Sequence, residues 1–119
     1  MPNRINFVFH PGLPFEEEIQ MKDEISGEPV DLTGCGIRMH VRDRKESEYT
    51  LIKLTTANQR IIIFSPLEGL YKLKLTSQET QSISRSGVHD IEISFPDGTL
   101  YPKEVEGEFN RVLTVTRDD

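Results

Sequence analysis

Apolar residues recurring at every second position, in short runs separated by turn residues, restrict this chain to an all-β fold. From Gly36 to Arg42, Ile37, Met39 and Val41 share one face while Arg38, His40 and Arg42 take the other. This is the period of a half-buried strand. Tyr71, Leu73 and Leu75 alternate with Lys72 and Lys74, and His89, Ile91, Ile93 and Phe95 alternate with Asp90, Glu92 and Ser94. Further strands are expected over residues 3–10, 15–21, 51–54, 60–64, 100–106 and 112–116. Between them stand His10-Pro11-Gly12-Leu13-Pro14, Ser26-Gly27-Glu28-Pro29, Ser65-Pro66-Leu67-Glu68-Gly69 and Pro96-Asp97-Gly98-Thr99, where Pro and Gly favour turns. One short helix is expected near residues 76–83, because Thr76-Ser77-Gln78-Glu79 has capping-box spacing. The fold class is therefore an antiparallel β-sandwich with a single short helix.

At 119 residues with 35% hydrophobic content, the chain has the size of one domain spanning 1–119. The lone cysteine, Cys35, forms no internal bridge, and with no secretory signal in the sequence it reads as a reduced thiol. No stretch reaches the length of a membrane span. A formal charge of −6 argues against nucleic acid, whose phosphates are bound by clustered Lys and Arg. The basic residues Arg38, Arg42, Arg44 and Lys45 lie among Asp43, Glu46 and Glu48 and read as a solvated strand end.

Signatures of chemistry are weak. His10, His40 and His89 are far apart, and none has zinc-ligand spacing with a second His or a Cys. His89 and Asp90 are neighbours on a strand and point to opposite faces, so they make no dyad. The acidic run Glu16-Glu17-Glu18 alternates faces in the same way and lacks the loop spacing of a hard-cation site. Gly34 and Gly36 lack the third glycine and helix of a phosphate loop, and read as turn or bulge residues. No serine sits in a Gly-x-Ser-x-Gly elbow. The expectation is a non-enzymatic protein without metal or cofactor.

That leaves surfaces. Phe15, Ile19 and Met21 share a strand face with Glu17, the mark of an edge strand or an open end. Ile61-Ile62-Ile63-Phe64 is apolar on successive positions, which means burial on both faces or an outward side covered by another subunit. Phe15, Ile19, Met21 and Ile62 are accordingly the candidate interface. Carbohydrate binding is the alternative, with Tyr49 and Tyr101 near loops as the available sugar platforms and no Trp in the chain.

Three stretches carry a resemblance. They are Gly27-Glu28-Pro29-Val30-Asp31-Leu32-Thr33-Gly34 before an alternating strand, Thr56-Ala57-Asn58-Gln59-Arg60-Ile61, and Leu75-Thr76-Ser77-Gln78-Glu79-Thr80 leading to His89-Asp90-Ile91-Glu92-Ile93. With Val105-Glu106-Gly107 and the segment 112–117, this order resembles the immunoglobulin-like N-terminal domain of tailed-phage baseplate upper proteins and related small tail proteins. The resemblance implies an Ig-like fold and a virion structural or adaptor role in tail, baseplate or neck. It also implies synthesis in the bacterial host cytoplasm, other phage structural proteins as partners, and self-association. Members often carry an Arg-Gly-Asp-like turn after the first strand, where this chain has His10-Pro11-Gly12-Leu13-Pro14, so no role of that turn carries over. They also commonly head a longer chain with a receptor-binding portion, whereas Arg117-Asp118-Asp119 closes this sequence, and the expected role is a stand-alone subunit.

Overall fold

The computed structural model describes residues 3–44 and 49–113, apart from the side chain at position 103. Two sheets face each other. The larger contains β1 (Asn3–Arg4), β2 (Phe7–Phe9), β4 (Gly36–Arg42), β5 (Thr50–Thr55), β8 (Gly87–Ser94) and β9 (Leu100–Arg111), in the order β1-β9-β8-β4-β5 with β2 also on β9. The smaller is β3 (Phe15–Gln20), β7 (Leu70–Leu75) and β6 (Ile61–Ser65), in the order β3-β7-β6. The fold is thus a β-sandwich with one short helix, α1 (Ser77–Ser82).

The alternating residues meet where their period requires. Ile37, Met39, Val41, Leu54, Ile91, Ile93, Val105 and Phe109 of the large sheet, with Phe15, Ile19, Ile61, Tyr71, Leu73 and Leu75 of the small one, are buried in one hydrophobic cluster. Phe15, Ile19 and Met21, expected at an interface, are buried in the chain's own core. The register of β3 on β7 sets Phe15 opposite Leu75 and Ile19 opposite Tyr71, both buried, so these two share the inward face of the small sheet. The edge reading of this segment holds: β3 is an outer strand, and Glu16, Glu17 and Glu18 are exposed on it.

The expected cap is present. Thr76 accepts from the Glu79 amide at 3.1 Å and the Glu79 carboxylate accepts from the Thr76 amide at 2.8 Å. Burial works against the charge on Glu79, but the Thr76 amide and the Arg60 guanidinium outweigh it, and its carboxyl sits below the usual value. Thr76→Ala removes one half of this reciprocal pair and is expected to cost about 1 kcal/mol of stability, seen as a lower urea midpoint with an unchanged slope.

Two features depart from the sequence reading. The first expected strand is two short ones, β1 and β2, and both run parallel to β9, so the large sheet is mixed. The strand expected over 100–106 runs on as β9 through Gly107 to Arg111, the stretch read as a connection; of the last expected strand, Val112 and Leu113 lie beyond β9 and are not in a strand, and 114–116 fall outside the described residues. One contact accounts for both. The ladder breaks at Ile5-Asn6, where the Asn6 side-chain oxygen accepts from the Glu108 amide at 2.9 Å and the Ile5 carbonyl turns toward His89. That carbonyl passes so close over Gly107 that a Cβ there would lie 2.1 Å from it. Gly107 is a flat strand position that admits a neighbouring backbone, not a turn.

His89 is buried beside this break, 4% exposed, with its Nε2 2.7 Å from the Ile5 carbonyl oxygen. A carbonyl only accepts, so Nε2 carries the proton of the neutral ring; the Phe7 ring lies 4.9 Å away. Burial holds the imidazole below its ordinary 6.5, against the opposing pull of the Ile5 carbonyl, Asp90 and Glu106; Arg4 adds to the lowering. Above pH 6.5 the ring is neutral folded or unfolded. As pH falls through 6.5 the unfolded chain takes up a proton that the folded one accepts only at lower pH, so stability falls. His40, also lowered by burial and by Arg42, contributes with the same sign. Urea midpoints at pH 7.5 and 5.5 are therefore expected to drop less in His89→Gln than in the unsubstituted chain. An equal drop in both would contradict the assignment to His89.

Candidate functional site

The small sheet has two outer strands, and the sequence treats them differently. β3 carries Glu16, Glu17 and Glu18, and charge along an outer strand discourages another chain from pairing with it. β6, Ile-Ile-Ile-Phe-Ser, carries no charge at all.

The register sorts the outward face of this sheet into three rows. Ile62 of β6 stands opposite Lys72 of β7, and Lys72 stands opposite Glu18 of β3. The Lys72 ammonium lies 3.7 Å from the Glu16 carboxylate and 5.8 Å from the centre of the Phe64 ring. The rows are acidic on β3, basic on β7 and apolar on β6. A bulge between Ile63 and Ser65 leaves Phe64 without a strand partner and 42% exposed. The apolar run is therefore not buried on both faces. Ile61 is buried, Ile62 and Ile63 are half-buried, and the outward side is open.

Backbone direction follows from one bond. The Arg60 carbonyl accepts from the Lys74 amide at 2.8 Å, and in an antiparallel ladder successive residues turn their backbone groups to alternate sides. Ile62 thus addresses β7, while the amides and carbonyls of Ile61 and Ile63 point to the open side. A concavity of about 720 Å3 lies at this strand, lined by Ile61, Ile62 and Ile63, by Thr56, Asn58 and Gln59 of the preceding loop, and by Lys74 and Glu79 on the β7 side.

The opposite wall is held rigid. Asn58 accepts from the Thr55 and Arg60 amides at 2.9 and 3.0 Å and donates to the Lys53 carbonyl at 3.1 Å. Arg60 donates to that same carbonyl at 3.0 Å and is ion-paired with Glu79, the capping residue of α1. Gln59 completes the turn at a φ of 66°. These bonds fix the connection between β5 and β6.

The remaining residues singled out from the sequence fall elsewhere. Arg38 pairs with Glu92, and Arg42 lies 3.5 Å from Asp90, on the outward face of the large sheet; Lys45 and its acidic neighbours 46 and 48 lie outside the described residues. His40 sits against Arg42 at 3.2 Å, and His89 against the Ile5 carbonyl. Cys35 is half-buried, and burial pushes its thiol up, away from the reactive thiolate. Tyr101 stands opposite Ile93, whereas Tyr49 adjoins Thr50, which stands opposite Arg42 and hence near Val88. Residues 88 and 93 are roughly 17 Å apart on one strand at ~3.3 Å per residue, so the two tyrosines do not form one platform. No protein-family model matches the chain, and no curated protein matches it. Among the described residues no strand pairs with β6 on its side away from β7, and the outward side of the strand is apolar.

Proposed function

We propose that this protein is a non-enzymatic structural or adaptor subunit of a tailed-phage virion, in tail, baseplate or neck, which assembles by strand addition along β6. The observation that carries the assembly part of this reading is the contrast between the two outer strands of the small sheet: β3 is guarded by glutamates and β6 is bare. A bare apolar edge in a soluble β protein invites pairing, and a chain with such an edge is either aggregation-prone or occupied by a partner. The virion setting rests on the sequence resemblance. The partner is a second copy or another structural subunit of the same particle, docked by main-chain hydrogen bonds to Ile61 and Ile63 and by apolar contact with Ile62 and Phe64. Symmetric particles supply repeated copies that make such contacts recur.

Mass spectrometry of purified particles tests the setting. Recovery of the chain in stoichiometric amount with tail proteins supports it; its absence from particles, with the chain found only in lysate, contradicts it. A glycan site, the alternative, would have to use Tyr49 or Tyr101 singly, since the two stand near opposite ends of the large sheet.

A further inference from the structure

A second concavity, of about 780 Å3, lies between the 21–30 segment and the start of β9, and shares no lining residue with the β6 groove. Met21, Val30, Phe95 and Tyr101 line it, and Ile25 stands over it. Ile25 is 97% exposed. It is not on a loose loop: the Asp23 carboxylate accepts from the Ile25 and Ser26 amides at 2.8 and 2.9 Å, and the Asp23 carbonyl accepts from the Gly27 amide at 2.9 Å. Gly27 takes a φ of 75° to close the turn, and Lys22 pairs with Pro29 across its base. A rigid turn therefore holds an aliphatic side chain out in water, where burial against a partner would be favourable by about 1.5–3 kcal/mol with little ordering still to be done.

The rim has a charge excess. Asp23, Glu24 and Glu104 surround the cleft, against the one ammonium of Lys22 among its described lining side chains. Burial, and then the charge of Glu24, push the Glu104 carboxyl above its usual range, so a cation arriving here would relieve a repulsion already present. Asn3 donates to Glu104 at 3.2 Å from the outer side. The two rings, Phe95 and Tyr101, meet edge to face, 5.2 Å between centres at 64°. They offer one apolar wall and an exposed Tyr face, not the coplanar surface on which a sugar ring stacks.

We propose that this cleft binds an extended peptide segment of a partner protein in which a Lys or Arg stands next to an aliphatic or aromatic residue. The apolar side chain packs between Ile25 and Phe95. The cation lies among Glu24, Glu104 and the Tyr101 ring, where carboxylate attraction and ring polarisation act together.

The test is selection of random displayed heptapeptides on the immobilised full chain, followed by fluorescence anisotropy of the recovered peptides. The expected outcome is a set enriched in a basic residue beside an apolar one. Affinity is expected to fall at least about tenfold for Ile25→Ser and again for Glu24→Gln, and to weaken with salt. Both positions are exposed, and an unchanged urea midpoint shows that the fold is intact. No enrichment, recovered peptides without a basic residue, or affinity indifferent to both substitutions overturns the proposal. Binding on a glycan array that is lost in Tyr101→Ala, with no peptide recovered, also overturns it and assigns the cleft to a sugar. None of these outcomes depends on the β6 edge.

Discussion

Replacing Phe109 with alanine is expected to lower stability by about 3–5 kcal/mol, the largest effect of any single change considered for this chain. Phe109 is fully buried at the inward face of β9. Its ring stacks on Phe9 at 4.7 Å and 20°, meets Phe15 edge-on at 5.3 Å, and lies 6.4 Å from Phe7. One side chain thus joins β9 to β2 beside it and to β3 in the facing sheet. Removing it leaves a cavity between rigid rings that cannot collapse around a β-carbon, so the loss of transfer free energy and the cavity add. Domains of this kind have a total stability of about 5–15 kcal/mol, so the variant sits near the limit of folding. Urea denaturation reads the change as a fall in midpoint; a loss below about 1 kcal/mol would mean that the aromatic cluster is not the joint between the sheets. The milder Phe109→Leu, which keeps most of the volume, is expected to lose much less and to leave a measurable transition if the alanine variant does not fold.

Ile62→Lys is expected to weaken assembly by about 10- to 100-fold, the equivalent of about 1.4–2.8 kcal/mol, while leaving the urea midpoint nearly unchanged. Ile62 faces outward opposite Lys72 and is half-buried, so its substitution removes little from the core. On the edge itself, lysine is the device by which β proteins refuse pairing, and here it would add to the positive row of Lys72 and Lys74 beside an approaching strand. Sedimentation velocity at matched concentrations measures the effect. Assembly equal to that of the unsubstituted chain would move the interface away from β6.

Much of the architecture was legible because period-2 alternation reports directly on which side chains share a face. The helix and its cap followed from four residues, Thr76 to Glu79, whose chemistry is local. What alternation does not report is the layer that a face meets. Phe15, Ile19 and Met21 read as a candidate interface, whereas the register of β3 on β7 sets Phe15 and Ile19 beside the buried Leu75 and Tyr71. Glu17 within that stripe did carry information, marking the strand as an outer one. The parallel docking of β1 and β2 on β9 was hidden for a related reason: it joins residues about as distant as the described chain allows, and its enabling feature, Gly107, resembles a turn glycine in sequence. The apolar run of β6 carried both readings until the bulge after Ile63 resolved it, exposing Phe64. The Ile25 turn was missed as a site, although Asp23 ahead of Ser26-Gly27 is the signal of a side-chain-locked turn.

The most direct test of assembly through β6 is the solution mass of the chain by light scattering, over a concentration series and with each protein encoded by neighbouring genes added in turn. A defined oligomer, or a stoichiometric complex with one neighbour, that dissociates on Ile62→Lys is the result expected. A monomer at every concentration that ignores every neighbour would contradict the account.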